Sequence, residues 1–166
     1  ADRGVGFRAE PRLDRVAAAA ADQPRPNVYC EEWSDPPMAA GNWVPDAVAA
    51  AGGAYPFVEA GSRSREVDPE AVVAADPDHV VVHICGHGER VDPATVAERD
   101  WIDAPVHVLD DSLFNQPSPV LVAGIARLAA LFGVVAPASV PAAPPTVAAP
   151  PPPSAPSPPP PPSPPC

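Results

Sequence analysis

Lysine is absent from this chain of 166 residues: its 10 basic side chains are all arginine, set against 21 Asp and Glu. The resulting formal net charge of −11 argues against a nucleic-acid partner, because phosphate binding needs a basic face. An acidic, lysine-free composition fits salt adaptation or GC-rich codon usage equally well. Cysteine is scarce. Cys30, Cys85 and Cys166 are too few and too scattered for a disulfide scaffold, and a single Cys30–Cys85 bridge stays open. No apolar run reaches the roughly 20 residues of a membrane span. No signal peptide is visible and the chain opens at Ala1, so the expectation is a processed chain or a piece of a longer one.

Proline, by contrast, is abundant, and it divides the chain. From Pro137 to Cys166 there are 16 prolines in 30 residues and no charged side chain. Such a segment lacks the apolar bulk to offset its ordering entropy, which predicts a disordered proline-rich tail of polyproline II character over 134–166. A semi-rigid spacer is the plain reading of that tail, and a docking site for proline-recognising domains is the alternative. About 136 residues are left to build a core, enough for one small α/β domain.

Those residues alternate between strand and helix signals. Glu10–Ala21 reads as a helix, with Pro11 in its first turn, and Gln23-Pro24-Arg25-Pro26 ends it. Asn27–Glu31 follows as a strand and Asp35-Pro36-Pro37 as a rigid turn. Asn42 is placed as the cap of a helix over Trp43–Ala51, closed by Gly52-Gly53. Asp68-Pro69 and Asp92-Pro93 each pair a capping carboxylate with proline at the first helical position. They open helices to about Ala75 and Arg99. His79–Ile84 reads as a buried strand and Val106–Leu109 as a third strand, and Ser118-Pro119 opens a last helix ending near Phe132-Gly133. Strand–helix alternation with short connections predicts a three-layer, Rossmann-like α/β lobe built on a parallel sheet. Ligands of such sheets sit beyond the carboxyl ends of the strands. Those ends are Glu31-Glu32-Trp33, Cys85-Gly86-His87-Gly88 and Asp110 to Gln116.

Three segments on this frame resemble one family. Val28 to Pro45, with Ala51-Gly52-Gly53 behind it, is similar to the first strand and loop of the C-terminal lobe in cobalamin-binding and iron-siderophore-binding proteins of ABC transporters. Ser64 to Asp78 resembles the family's second signature, and Phe114-Asn115-Gln116-Pro117-Ser118-Pro119 resembles the lead into its last helix. The resemblance implies that 1–25 is the end of the interlobe helix and a linker, and that 26–133 is the C-terminal lobe. An N-terminal lobe would then lie ahead of Ala1. It further implies a periplasmic or cell-surface protein without catalytic residues or resident cofactor, which captures cobalamin, a related corrinoid or a ferric siderophore for an ABC permease. Trp33, Met38, Trp43 and Phe114 would supply the broad apolar wall a flat macrocycle needs. Glu32, Ser112, Asn115 and Gln116 would supply hydrogen bonds to its amide edges. Glu70 would pair with an arginine pocket of the permease, although capping alone also explains an acid in a first helical turn.

Two readings from other classes stand beside this one. The lobe fits a degenerate scaffold of a structural or extracellular protein, since Ser-Pro-Pro-Pro runs resemble hydroxyproline-rich extracellular spacers. His83, Cys85 and His87 alternate along a strand and its exit, with Cys30 nearby, as a metal-dependent enzyme would require. Their His-x-Cys-x-His spacing is not an established ligand set. Buried cysteines and a loop histidine account for it without a metal.

Overall fold

The computed structural model describes residues 11–136; the proline-rich segment from 137 and the first ten residues lie outside the described residues. Helix α1 covers Pro11–Ala20, followed by strand β1 over Val28–Ser34, β2 over Pro37–Ala39, helix α2 over Val44–Ala50 and β3 over Arg65–Glu66. Helix α3 (Pro69–Ala75), β4 (His79–Val82), α4 (Pro93–Ala97), β5 (Val106–Val108), a 3-10 turn (Asp111–Leu113) and α5 (Val120–Leu131) complete the order.

The five strands form one sheet in the order β3-β2-β1-β4-β5. Its core is parallel as expected: β4 pairs with β1 in the register Tyr29↔Val80 and with β5 in the register Val80↔Val106. Two antiparallel edge strands were not expected. After the Asp35-Pro36 turn the chain doubles back, and β2 pairs with β1 while β3 pairs with β2. Pro37 is tolerated in this short strand, as proline is near the start of a strand.

Alternation along the strands sorts side chains into two cores. Val28, Cys30 and Val81 face α1, α2 and α5, where Val16, Val48 and Leu128 are buried. Tyr29, Val80 and Val82 face the side of α3 and α4, with Val72 and Val96. Helices thus cover both faces, giving the three layers. Asp68 and Asp92 cap α3 and α4, accepting from the backbone N–H of Glu70 at 2.9 Å and Ala94 at 3.0 Å.

Asn42 does not cap α2. Its φ is 56°, in the left-handed region, and its backbone is held by Ser62 and Gly61; Trp43 takes the cap position with no side-chain bond. The following Gly52, at φ 93°, closes α2 in the conformation glycine favours. Gly41 is required by a close approach: a Cβ there would collide with backbone atoms of Ser62, Arg63 and Ser64.

Candidate functional site

The carboxyl ends of β1 and β4 and the turn after β5 open on a cleft of about 280 Å3 on the α2 side of the sheet. Glu32, Trp33, Met38, Trp43, Phe114 and Asn115 all line it, together with Gly41, Asn42, Val44, His83 and Cys85. Residues separated by some 80 positions in sequence are gathered here by the parallel sheet, whose strand ends share one rim. Ser112 and Gln116 are exposed and stand outside this lining. The Ser112 backbone N–H is used locally, donating to Asp110 Oδ1 at 2.9 Å.

Each wall residue has a distinct support. Trp33 is 45% exposed, and its indole N–H donates to the Asp35 carbonyl at 2.8 Å, which fixes the ring over the β1–β2 turn. Trp43 is half-buried at the start of α2, and its N–H donates to the Phe114 carbonyl at 2.6 Å. Phe114 is buried as well as cleft-lining: its ring rests on α5 where Gly124 leaves room for it. Glu32 is the one charged side chain of the lining, and no arginine joins it.

The two rim turns are tied together by Asp111. Its carboxylate accepts from the backbone N–H of Gly86 and of Gly88, both at 2.8 Å, and from the Asn115 side chain at 2.7 Å. Burial opposes its ionisation, but these bonds outweigh burial and hold the carboxyl below its ordinary range. One N–H of the Asn115 amide is thereby engaged.

His83 and Cys85 share the cleft, whereas His87 does not; it lines a separate apolar hollow with Trp33, Ser34, Asp35, Ile84 and Val91. The reason is the loop that begins at Cys85, where Gly86 at φ 77° turns the chain away from strand alternation. Cys30 and Cys85 are free thiols, the first buried and the second exposed, and burial pushes the Cys30 thiol up. The His83 ring packs on Phe114 with centroids 5.0 Å apart. Burial lowers its pKa to about 4, against the partial opposition of the Asp111 charge.

Glu31, expected at the rim, is turned away from it and fully buried. Arg99 pairs with its carboxylate, and Tyr29 and Ser34 donate to it at 3.0 and 2.6 Å. Glu70 is exposed at the start of α3, on the opposite face of the sheet from the cleft. It shares a shallow hollow there with Val73, Asp100 and Trp101.

No protein-family model and no curated protein matches the chain. Solved structures do. The periplasmic vitamin B12 binding protein of Vibrio cholerae superposes with a TM-score of 0.58 at 15% identity, covering 75% of this chain and 50% of its own. A periplasmic heme-binding protein from Pseudomonas aeruginosa gives 0.54 at 26% identity, over 74% and 48%. The protein of an ABC-type Fe3+-hydroxamate transport system from Saccharomonospora viridis gives 0.55 at 22% identity, over 74% and 46%. The chain has the fold of one lobe of a periplasmic binding protein. It spans about half the length of the solved structures it matches, and among its described residues no helix is long and apolar enough to cross a membrane.

Proposed function

We propose that this chain is the C-terminal lobe of the solute-binding component of an ABC importer, and that it captures cobalamin or a related corrinoid. The observation that carries the reading is the cleft wall: Trp33, Met38, Trp43 and Phe114 converge on one hollow at the strand ends. Broad aromatic surfaces lose little conformational entropy on binding and suit a flat macrocycle. Asn115 and Glu32 are placed to accept from amide N–H groups at its edge. The absence of arginine from the lining favours a corrinoid over an anionic ferric siderophore, which would meet only the Glu32 charge. The fold-level neighbours, whose names give vitamin B12, heme and Fe3+-hydroxamate transport, support solute binding as the class, rather than catalysis.

On this reading Glu70 docks the permease, the ligand is cargo and not a cofactor, and the protein works in the periplasm or at the cell surface. The exposed position of Glu70, away from the cleft, is what docking requires. The direct test is a titration with cyanocobalamin followed by tryptophan fluorescence. Saturable quenching that is diminished in Trp33→Phe is expected. No quenching up to millimolar ligand, with this chain or with an N-terminal lobe fused ahead of Ala1, overturns the reading and leaves the scaffold alternative.

A further inference from the structure

His83 is the residue that the fold leaves unexplained. It lies just past β4, lines the cleft, and is only 4% exposed. Among the described residues, its Nε2 is the buried side-chain polar atom that has no hydrogen-bond partner. Such an atom is desolvated without compensation, so buried polar groups are ordinarily paired. Two polar groups nearby are engaged elsewhere: Asp111 with Gly86, Gly88 and Asn115, and the Trp43 N–H with Phe114. Its burial also keeps the imidazole neutral at physiological pH, the form in which histidine binds metals.

We infer that His83 Nε2 is an axial ligand for the cobalt of a corrinoid held in the cleft, so that the lobe selects corrinoids whose metal has an exchangeable axial position. The inference rests on the corrinoid reading above and narrows its substrate class. Among the described residues no three His, Cys, Asp or Glu side chains converge to chelate a free ion. A metal bound here must therefore arrive with its own equatorial ligands, as the centre of a macrocycle does. With its proton on Nδ1, the ring donates the Nε2 lone pair to Co(III) while an axial water leaves. The cobalt keeps its oxidation state and no proton is transferred. Nε2 is covered, and ligation requires the ring to turn from Phe114 toward the cleft. It breaks no hydrogen bond at Nε2 in doing so, because none is made there. Cys85, exposed on the same lining, is the rival soft ligand.

The test compares diaquocobinamide, with two exchangeable waters, and dicyanocobinamide, with both axial positions filled. Wild type, His83→Phe, His83→Ala and Cys85→Ser are titrated with each, reading affinity and the visible absorption bands of the corrin. Wild type and Cys85→Ser are expected to shift the diaquocobinamide bands as nitrogen replaces water. They should also bind that corrinoid at least tenfold tighter than His83→Phe does. Dicyanocobinamide should bind all four alike. Free imidazole should restore the band shift in His83→Ala, and His83→Phe should melt no lower than wild type, which separates loss of ligation from loss of fold. An unchanged affinity and spectrum in both His83 variants overturns the inference while leaving the corrinoid reading intact. So does a shift lost only in Cys85→Ser. Failure of the wild type, alone or fused to an N-terminal lobe, to bind either cobinamide or cyanocobalamin overturns both.

Discussion

The guanidinium of Arg99 grips the carboxylate of Glu31 with both arms, Nη1 to Oε2 at 2.7 Å and Nη2 to Oε1 at 3.1 Å, while the Glu31 side chain is wholly removed from solvent. Arg99 also lies 5.1 Å from the centre of the Trp101 ring. Removing one member strands a buried charge, which costs more than the pair itself contributes. Arg99→Ala should destabilise the lobe by about 3 kcal/mol. The double variant Glu31→Gln/Arg99→Met should recover much of that loss, since it leaves no charge behind. Urea unfolding of the three proteins measures both.

The buried imidazole of His83 makes stability depend on pH. An unfolded histidine takes up its proton near 6.5, whereas His83 in the fold does so only at about 4. Between those values the unfolded chain binds more protons, so wild-type stability should fall as pH drops from 6.5 toward 4 and level off below. The loss from this group is on the order of 3 kcal/mol. Melting temperatures taken across pH 4 to 7 should show a visibly flatter profile for His83→Phe.

At Gly41 the neighbouring chain leaves no room for a side chain, since a Cβ would strike the backbone of Ser62, Arg63 and Ser64. Backbone cannot swing aside as a flexible side-chain tip can. Gly41→Ala should lower stability by about 1–3 kcal/mol and, because Gly41 lines the cleft, weaken ligand quenching as well. A calorimetric melt beside the fluorescence titration reads the two effects separately.

Charge reversal at Glu70 should divide transport from binding. The residue is exposed and lies across the sheet from the cleft. In a full-length, transport-competent protein, Glu70→Arg is expected to impair uptake while soluble ligand binding is unchanged. Equal losses in both assays would return Glu70 to its local role in the first turn of α3.

One wall of a clamp binds less than two. The chain covers about half of the solved proteins it matches; on the proposed reading it is one wall of a two-lobed clamp, and a flat ligand held by it alone would keep one face in water. Each ~1.4 kcal/mol forgone weakens binding tenfold, and an aromatic wall contributes several such steps. Calorimetry with cyanocobalamin should give an affinity in the micromolar-to-millimolar range for this chain, improving strongly once an N-terminal lobe is fused ahead of Ala1. Nanomolar binding by the single lobe would contradict this.

What could be read from the sequence was mostly what depends on near neighbours. Asp68-Pro69 and Asp92-Pro93 specify helix starts by local capping, and the Val-rich run at 79–84 specifies a buried strand by its own pattern, with the half-buried β5 beside it. Once those strands are parallel, their ends must share a rim, so Trp33, Trp43 and Phe114 could be brought together in advance. The β2–β3 edge was hidden because Pro36-Pro37 and a pair of exposed charged residues carry no strand signal; backbone pairing of β2 with β1, and of β3 with β2, makes them strands. Asn42 has the chemistry of a cap, but the contacts of the 59–64 loop, remote in sequence, decide its backbone. The Glu31–Arg99 pair joins residues 68 positions apart, and nothing local marks either as the other's partner. His87 left the shared face because Gly86 ends strand alternation, a turn whose direction the sequence does not encode in its neighbours' types.

The bond from the Trp43 indole to the Phe114 carbonyl has a kinetic consequence. It spans the cleft wall from α2 to the turn before α5, and the Asp111 bonds join the two rim turns; all of these are bonds between groups of the protein itself. The wall is therefore held by the protein's own bonds, and docking against it calls for no folding of these turns. Docking of cyanocobalamin, whose axial positions are both filled, should proceed at a rate set by diffusion and orientation, linear in ligand concentration without a plateau in stopped flow. Nearly all discrimination between ligands would then be expressed in how long each one stays.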